Sequence, residues 1–421
     1  KAGTPACAIV GKSWDLHVMD VLKTDLNENL AMIADSIEYL KSMGKEVLFD
    51  AEHFFDGYKN NSRYTTKVVK TALVAGADFI ALCDTNGGSL PNEICTIVKR
   101  ISSHIPPEKL AIHTHNDCGL AVANSIVAVQ KGVVMVQGTV NGYGERCGNA
   151  DLITVVANLQ LKMGKKCLPP DSIKQLTNLS HYISDVANVP PLNSRPFVGR
   201  SAFAHKGGVH VSGIVKNSVA YEHIEPELVG NHRRVLVSDL SGKSNVEYKA
   251  RELGIDLAKN DAVSKKIVHE VKLMEDRGFQ FDAADGSLSL LIKKAIGEFV
   301  APFNLETFSV ITSRTENNPC LSQATIKISV AGEEELTAAE GNGPVNALDY
   351  ALRKALTKFY PQIKDMRLVD FKVRTLEGSE GTGAGVRVLV DSTDGEEVWS
   401  TIGVSENIIE ASWQALVDSI Q

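Results

Sequence analysis

Two histidines separated by one residue follow a hydrophobic stretch, and they are the clearest indication of a chemically functional site in the sequence. His113 and His115 follow residues 110–112, with Thr114 between them. Successive side chains of a β-strand point to opposite faces, so the two imidazoles are expected on the same face. Two imidazoles at a strand end can chelate one divalent cation. The alternative is a pair of polar residues opening a loop, but the Asn116 and Asp117 that follow favour a metal site.

A glycine-rich loop after the next predicted strand adds further functional groups. Residues 138–149 contain four glycines together with Asn141, Glu145, Arg146 and Asn149. An ordinary turn needs one or two glycines, whereas this loop combines backbone freedom with a carboxylate, a guanidinium and amide oxygens. Long polar loops after parallel strands carry the chemistry of α/β barrels. We therefore expect this loop to form part of an active site.

The elements that position these groups alternate between strand and helix. Strands are predicted at residues 6–10, 46–50, 79–83, 110–115 and 133–137, and helices at 27–43, 62–75, 91–103, 120–131 and 150–163. Such alternation predicts right-handed βαβ units and a parallel sheet.

A count of five βα units leaves two interpretations of this sheet. A closed TIM (β/α)8 barrel needs eight units, and an open doubly wound sheet of five strands is the alternative. An open sheet concentrates its functional groups at one switch point. Here they follow at least four successive strands, at Lys12, Glu52, Asp84 and His113. We therefore predict an α/β fold in which a TIM barrel lacks its first three βα units.

The rest of the chain divides into two further segments. Regular alternation ends near residue 165, and residues 165–287 are predicted to form a mostly helical connector. A βββα pattern then occurs twice, with strands at 303–312, 324–330, 334–340, 366–374, 386–391 and 397–403 and helices at 344–359 and 405–419. We predict three domains: a partial catalytic barrel (1–164), the connector (165–287) and an α+β (βββα)2 domain (288–421). The last carries no metal or nucleophile constellation, which favours regulation or dimerisation.

Composition excludes several classes of partner. A net charge of -7 gives no electrostatic reason to expect a nucleic acid or an anionic membrane. No apolar run approaches the ~20 residues that a membrane span requires. Seven cysteines without CxxC spacing favour free thiols in a reducing, cytoplasmic compartment.

The motifs resemble those of one enzyme family. Segments 84–88, 113–117 and 144–149 are similar to motifs of the 2-isopropylmalate synthase, homocitrate synthase and citramalate synthase family. The resemblance covers essentially the whole chain in order. Within the family, segments 49–57 and 203–210 look most like the citramalate synthases. The resemblance implies a TIM barrel, a helical connector and a LeuA-type allosteric and dimerisation domain.

The resemblance also implies a metal site. In this family the cation is held by two histidines of an H-x-H strand, an Asn of a Gly-Asn pair and an Asp of the first barrel strand. The first three ligands correspond to His113, His115 and Asn149. The Asp belongs to an Arg-Asp-Gly motif that this sequence does not contain, and the Arg expected to stabilise the oxyanion is absent with it. The chain as written is therefore expected to form an incomplete active site.

Other site residues follow from the same resemblance. Glu52 is assigned to acid–base catalysis, with a water-holding role as the alternative, and His210 matches the connector histidine that reaches a catalytic centre, often the partner subunit's. Thr85 is expected to hydrogen-bond the substrate carboxylate, and Asn116 is assigned to substrate binding. Glu145 and Arg146 are assigned there too, although an internal ion pair that shapes the loop is an equal alternative. For the other histidines of the connector we expect structural roles.

The implied reaction is a metal-dependent Claisen-type condensation of acetyl-CoA with a 2-oxo acid, here pyruvate, by an acyltransferase of isoleucine biosynthesis. The cation is Mg²⁺, Mn²⁺ or Zn²⁺, because imidazole and amide ligands suit all three. A homodimer and an isoleucine effector are also expected.

Three alternatives stay open at this point. The nearest alternative is that the protein is a 2-isopropylmalate or homocitrate synthase and uses the substrate of that enzyme. The lyases that cleave hydroxymethylglutaryl-CoA share the barrel and the H-x-H site, but they would lack the repeat domain and carry a catalytic Cys loop. A non-catalytic regulatory or assembly protein is the third.

Overall fold

The fold is described from a computed structural model of the 421-residue chain. It describes residues 3–169, 171–238, 241–252, 254, 255, 257, 261–315, 318–376 and 383–421. The chain forms two compact units. The first comprises Lys1–Phe203 with Glu225–His232, and the second comprises Ala204–Ile224 with Arg233–Gln421.

The first unit is built on a parallel sheet of five strands in sequential order. The strands are β1 (Ala6–Lys12), β2 (Glu46–Glu52), β3 (Phe79–Asp84), β4 (Leu110–Thr114) and β5 (Met135–Gln137). All five predicted strands are confirmed, with ends that differ by at most two residues. Because every neighbouring pair is parallel, the carboxyl ends of all five strands lie at one edge.

Helices follow the strands and cover one face of the sheet. They are α1 (Leu26–Ser42), α2 (Phe54–Val74), α3 (Pro91–Ile101), α4 (Ala121–Gln130) and α5 (Leu152–Ala157), which continues as a π-helical turn to Lys162. Alternate residues of β2, namely Val47, Phe49 and Ala51, are fully buried among the helices. Each large apolar side chain buried there contributes about 1.5–3 kcal/mol. The period-two pattern of the strand therefore fixes which face the helices cover.

The second helix begins earlier than predicted. Helix α2 begins at Phe54, directly after β2, whereas the sequence pattern predicts a start at residue 62. Asn61 has non-helical dihedral angles (φ -141°, ψ 74°), so two helical segments meet at a kink there. The prediction found only the second segment. The first is held by Phe54 and Phe55, which are both fully buried.

The opposite face of the sheet curves strongly. Gln137 of β5 donates a 2.8 Å hydrogen bond to Asp50 of β2, although β3 and β4 lie between these two strands. The intervening positions in register with Asp50 are Ala81 and Ala111. Their small side chains leave room for the longer ones to meet above them. Such curvature is what a barrel requires.

The first unit continues with helix α6 (Leu176–Ala187). In the second unit, two short parallel strands pair first, β6 (Ala204–His205) with β7 (Arg234–Val235). The helices are α7 (Gly208–Lys216), α8 (Lys243–Glu252), α9 (Asp261–Asp276) and α10 (Asp285–Ile296).

The end of the second unit consists of two βββα repeats. The first has strands β8 (Asn304–Thr315), β9 (Asn318–Val330) and β10 (Glu333–Gly341) before helix α11 (Pro344–Leu356). The second has β11 (Arg367–Thr375), β12 (Val386–Thr393) and β13 (Val398–Ser405) before helix α12 (Ile408–Ile420). Both sheets are antiparallel meanders. The predicted repeat is thus confirmed.

Among the residues that the structure describes, no helix is both long enough and apolar enough to span a bilayer.

Candidate active site

Strand register brings three of the predicted strand-end groups, Lys12, Glu52 and His113, into one row. Asp84 is not among them, because it pairs with Thr114 on the helix side, where it is buried and accepts a 2.9 Å hydrogen bond from the Ser89 hydroxyl. Lys12 pairs with Glu52 on the next strand, and Cys83 pairs with His113. His113 in turn pairs with Gln137 on β5. These side chains share the face that the helices leave uncovered. The row therefore combines a cation, a carboxylate, a thiol, an imidazole and an amide at the carboxyl edge of the sheet.

The two histidines of β4 lie on the same face, as the strand period predicts. Their rings stack with centroids 5.3 Å apart and planes 25° from parallel. Thr114 between them faces the helices, where its hydroxyl lies 2.9 Å from the Ala121 carbonyl and 3.0 Å from Ser125 Oγ. These buried hydrogen bonds hold Thr114 on the helix side, and so keep His113 and His115 on the opposite face of the strand.

Asn149 lies opposite His115. An isolated antiparallel β-bridge pairs the two residues, and the Asn149 amide donates to the Tyr143 carbonyl at 3.3 Å. Burial lowers the pKa of His115, and the nearby His113 and Arg146 lower it further. The imidazole is thereby kept neutral at pH 7, which is the form that binds metals.

Two buried atoms of this pair are without hydrogen-bond partners. In the described part of the chain, His115 Nδ1 and Asn149 Oδ1 are both buried and unpaired. Buried polar atoms are almost always satisfied, so two such atoms on paired residues suit the binding of a ligand that contacts both. No described group of three or more His, Cys, Asp and Glu side chains could hold a metal. The set that fits a cation here is therefore His113, His115 and Asn149, whose third member is an amide.

Two residues of this region were not expected from the sequence. Gln137 Oε1 lies 2.8 Å from His113 Nδ1, and Gln137 Nε2 lies 2.8 Å from Asp50 Oδ1. Burial raises the pKa of Asp50, while the bond from Gln137 opposes that rise. The sequence did contain an indication of both residues. Asp50 lies two residues before Glu52 on the same strand, so the two side chains share a face of the sheet. Gln137 ends the strand that neighbours His113.

Glu52 ends β2 beside Lys12. The two side chains form an ion pair, and each remains about one quarter exposed. The Glu52 carbonyl accepts hydrogen bonds from the backbone and hydroxyl of Ser13, at 3.2 and 2.6 Å. The backbone of Glu52 is thus held on two sides, and its carboxylate stays accessible.

The glycine-rich loop is tied to the loop after β4. Arg146 binds Asp117 with two hydrogen bonds, Nε to Oδ1 at 2.7 Å and Nη2 to Oδ2 at 2.9 Å. Nη2 also donates to the Thr85 carbonyl at 2.6 Å. The hydrogen bond from Arg146 lowers the pKa of Asp117. Glu145 is exposed. The ion pair of Arg146 therefore joins two loops, a pairing that the sequence did not identify.

Close backbone packing limits the size of side chains in this loop. A Cβ added to Gly144 would collide with the Asn149 side-chain amide, and one at Gly148 would collide with the Gly142 carbonyl oxygen. Gly148 also has a φ of 88°, which L-amino acids rarely adopt. Both glycines are therefore required by the local structure.

Thr85 and Asn116 each use one side-chain atom for local structure. Thr85 Oγ1 accepts a 2.8 Å hydrogen bond from the backbone of His53, which leaves its hydroxyl hydrogen for another acceptor. Asn116 Oδ1 accepts a 3.2 Å bond from the backbone of Ala121, at the start of α4.

An aromatic cluster lies at the ends of β1 and β2. Ring centroids are 5.3 Å apart for Trp14 and His17 and 4.2 Å apart for His17 and His53. Burial lowers the pKa of His17, and the neighbouring His53 lowers it further. The sequence analysis did not group these residues. They lie in separate segments after β1 and β2, and their spacing in the sequence does not indicate that their rings stack.

His210 belongs to the second unit, on α7. Its ring is exposed and stacks on Tyr221, with centroids 4.4 Å apart. A buried network follows Tyr221 in the chain, because Glu222 accepts two hydrogen bonds from Arg233, at 2.7 and 2.5 Å, and lies 3.2 Å from His205 Nε2. His205 thus has the structural role that we expected.

Three family models match consecutive segments of the chain. Residues 1–183 match the HMGL-like model. Residues 197–279 match the model described as a homocitrate synthase post-HMGL domain, and residues 282–421 match the LeuA allosteric (dimerisation) domain. The five βα units are thus those of an HMGL-like TIM barrel.

Curated relatives match the chain throughout its length. An (R)-citramalate synthase of Aquifex aeolicus is 52% identical over 421 residues, which cover 100% of this chain and 80% of the relative. One from Geobacter sulfurreducens is 52% identical with the same coverage. Among solved structures, an HMG-CoA lyase from Bacillus subtilis is similar to 46% of this chain and 66% of its own, at 18% identity and a TM-score of 0.41.

Proposed function

Because the chain belongs to the family of the citramalate and 2-isopropylmalate synthases, we propose that it condenses acetyl-CoA with pyruvate to give (R)-citramalate. The methyl group of acetyl-CoA loses a proton to a base, and its carbon forms a bond to the ketone carbon of pyruvate. The π electrons of that C=O bond move to the oxygen, which takes up a proton to become the hydroxyl. Water then cleaves the thioester, which releases CoA as the free thiol. The observation that carries this proposal is the pairing of His115 with Asn149 beside His113, in which His115 Nδ1 and Asn149 Oδ1 are buried and unpaired.

His113, His115 and Asn149 are the residues that would hold a divalent cation in this proposal. When bound, it polarises the keto group of the 2-oxo acid and so favours attack on the ketone carbon. Neutral imidazoles and an amide oxygen suit Mg²⁺, Mn²⁺ and Zn²⁺.

Glu52 is the proposed base for the methyl proton. Its carboxylate is accessible at the end of β2, and its backbone is held by Ser13. Lys12 at the end of β1 forms an ion pair with this carboxylate.

Four residues are proposed to bind substrate. Thr85 has a hydroxyl hydrogen to donate to the pyruvate carboxylate, because its oxygen already accepts the His53 backbone N–H. The side-chain amide of Asn116 has hydrogens to donate, since only its oxygen is used at α4. Arg146 is held in place by Asp117, and Glu145 is exposed beside it.

The remaining assignments concern the other segments. We propose that residues 1–164 form the catalytic domain, 165–287 the connector and 288–421 the regulatory domain of a homodimer, which the LeuA-type match supports. His210 is proposed to assist acid–base chemistry, with the Tyr221 ring supporting its imidazole.

Isoleucine is the proposed effector of the C-terminal domain. A cavity of about 710 Å³ lies beside α11, with Val345, Asp349 and Phe371 in its lining. Burial raises the pKa of Asp349, and its bond with Arg353 opposes the rise. This wall combines apolar side chains with a carboxylate and a guanidinium, which suits a branched amino acid.

Release of CoA tests the reaction directly. Thiol formation from acetyl-CoA should be fastest with pyruvate when pyruvate, 2-oxoisovalerate and 2-oxoglutarate are compared. Clear preference for 2-oxoisovalerate would indicate a 2-isopropylmalate synthase, and preference for 2-oxoglutarate a homocitrate synthase. Because these 421 residues do not contain the Arg-Asp-Gly motif, the assay uses a protein that also supplies it. No thiol release there with any of the three acids would favour a regulatory or assembly protein.

A further inference from the structure

Gln137 connects a candidate metal ligand to a carboxylate on a distant strand. Its side-chain oxygen lies 2.8 Å from His113 Nδ1, and its side-chain nitrogen lies 2.8 Å from Asp50 Oδ1. His113 and Gln137 are register partners on adjacent strands, whereas Asp50 lies three strands away from Gln137. The three side chains form a continuous chain across the curved face of the sheet.

The direction of this chain follows from the chemistry of its end group. Gln137 Nε2 donates to Asp50 Oδ1, so the Gln137 NH₂ group faces the carboxyl oxygen. The Gln137 oxygen then faces His113, and an oxygen acceptor requires a proton on His113 Nδ1. A neutral imidazole protonated at Nδ1 carries its free lone pair on Nε2. The carboxylate thus determines which nitrogen of His113 can bind a cation.

We propose that Gln137 is a positioning residue that fixes the Nδ1–H tautomer and ring orientation of His113, and that Asp50 acts through Gln137. The proposal uses the assigned role of His113 as a ligand, and so rests in that part on the proposed function. Metal-binding histidines generally donate their second ring N–H to an acceptor of this kind.

The contrast with His115 distinguishes this role from simple cross-linking of the sheet. His115 Nδ1 is buried without a partner among the described residues, so no hydrogen bond selects its tautomer. Of the two stacked rings, only His113 is oriented through a side-chain relay. A mere strand cross-link would need Asp50 and Gln137 but no particular proton position on His113.

The tautomer of His113 is the decisive measurement. Long-range ¹H–¹⁵N correlation spectra of the metal-free protein should show a single Nδ1–H form of His113 at pH 7.5. Gln137→Met removes both hydrogen bonds at similar size, and should give a mixture of tautomers. Mn²⁺ affinity, measured by EPR of the free ion, should fall about 10- to 100-fold. Met135→Leu, two residues earlier on the same face, is the matched control and should leave both readouts unchanged.

A double variant tests the direction of the relay. Asp50→Asn alone offers Gln137 either a donor or an acceptor, and should weaken tautomer selection. Combined with Gln137→Glu, the new amide donates to the new carboxylate, which again accepts from His113 Nδ1–H. The double variant should recover the Nδ1–H form and Mn²⁺ affinity to within about threefold.

Two outcomes would overturn the proposal. One is a Gln137→Met protein that keeps a single Nδ1–H tautomer, and the other is a double variant that recovers neither readout while its unfolding midpoint matches that of wild type. Absence of Mn²⁺ binding in wild type would count against the proposed function instead. The tautomer spectra would still decide the role of Gln137 in that case.

Discussion

His115 and Asn149 face each other across a single antiparallel β-bridge, and each buries one polar atom that has no hydrogen-bond partner. The bridge joins the end of β4 to the end of the glycine-rich loop. It brings together two residues that are 34 positions apart in the sequence. A ligand shared by both would satisfy both atoms.

Removal of the Asn149 amide should therefore weaken metal binding. Asn149→Ala is expected to lower Mn²⁺ affinity by at least ~10-fold, because loss of a direct ligand should cost no less than loss of a supporting group. Asn149→Asp keeps an oxygen ligand and should retain binding. Asn178→Ala, an exposed site in the same unit, is the control for calorimetric titration. Unchanged affinity in Asn149→Ala would exclude this residue as a ligand.

Glu52→Gln should separate proton abstraction from binding. We expect turnover to fall about 10²- to 10⁴-fold, since the amide cannot accept the methyl proton. Exchange of the acetyl-CoA methyl protons with deuterated solvent, followed by mass spectrometry, reports that step alone. Glu46→Gln, at the other end of β2, is the matched control. Wild-type exchange in Glu52→Gln would assign Glu52 to a different role.

The Arg146–Asp117 pair should affect substrate binding more than stability. Arg146→Lys keeps the positive charge but loses the two-pronged geometry, so the loop should be less well ordered. We expect a several-fold higher KM for pyruvate with little change in the unfolding midpoint, because both side chains of the pair are partly exposed to solvent. Arg100→Lys on α3 serves as the control. A large fall in the midpoint with unchanged KM would give the pair a structural role only.

The Glu222 network should make the protein sensitive to acid. Burial alone would raise the pKa of Glu222, but bonds from Arg233 and His205 hold it below its ordinary value of 4.5. Burial lowers the pKa of His205 below 6.5. Both groups take up protons more readily in the unfolded chain. Stability from His205 therefore declines as pH falls below 6.5, and stability from Glu222 is lost as pH falls from 4.5 through its lowered value.

Urea unfolding at pH 7.5, 5.5 and 4 measures this dependence. Glu222→Gln should lower the free energy of unfolding by about 3 kcal/mol at pH 7.5, because Arg233 loses its buried partner. The free energy of unfolding of this variant should also fall less steeply than that of wild type as the pH is lowered. Asp276→Asn removes an exposed carboxylate and should leave the profile unchanged. If the free energy of unfolding of Glu222→Gln falls as steeply with decreasing pH as that of wild type, this account is contradicted.

Filling the cavity beside α11 should abolish effector sensitivity. Val345→Trp adds a large ring to its lining, whereas Val369→Trp adds the same ring on exposed β11 outside that lining. We expect millimolar isoleucine to inhibit wild type and Val369→Trp but not Val345→Trp, with basal rates alike. Deletion of residues 288–421 should likewise remove sensitivity. If wild type ignores isoleucine at this concentration, only the dimerisation role of the domain survives.

The sequence pattern predicted local structure well and tertiary side-chain pairing poorly. Period-two alternation found all five parallel strands and the shared face of His113 and His115. Helix α10 was not predicted, although Asp285 in its first turn and the left-handed Gly297 at its end are ordinary helix signals. The relay through Gln137 was missed because it depends on sheet curvature, which no local pattern encodes.

The backbone clearance at Gly144 and Gly148 also bears on how this enzyme could be redesigned. Neither position has space for a methyl group, so a library that varies them would mostly yield misfolded loops. Selectivity for a bulkier or smaller acid is better sought on the open face of the sheet. Ala81 and Ala111 lie there beneath the Gln137–Asp50 hydrogen bond, and their exchange for other small residues would reshape this surface while the loop stays intact.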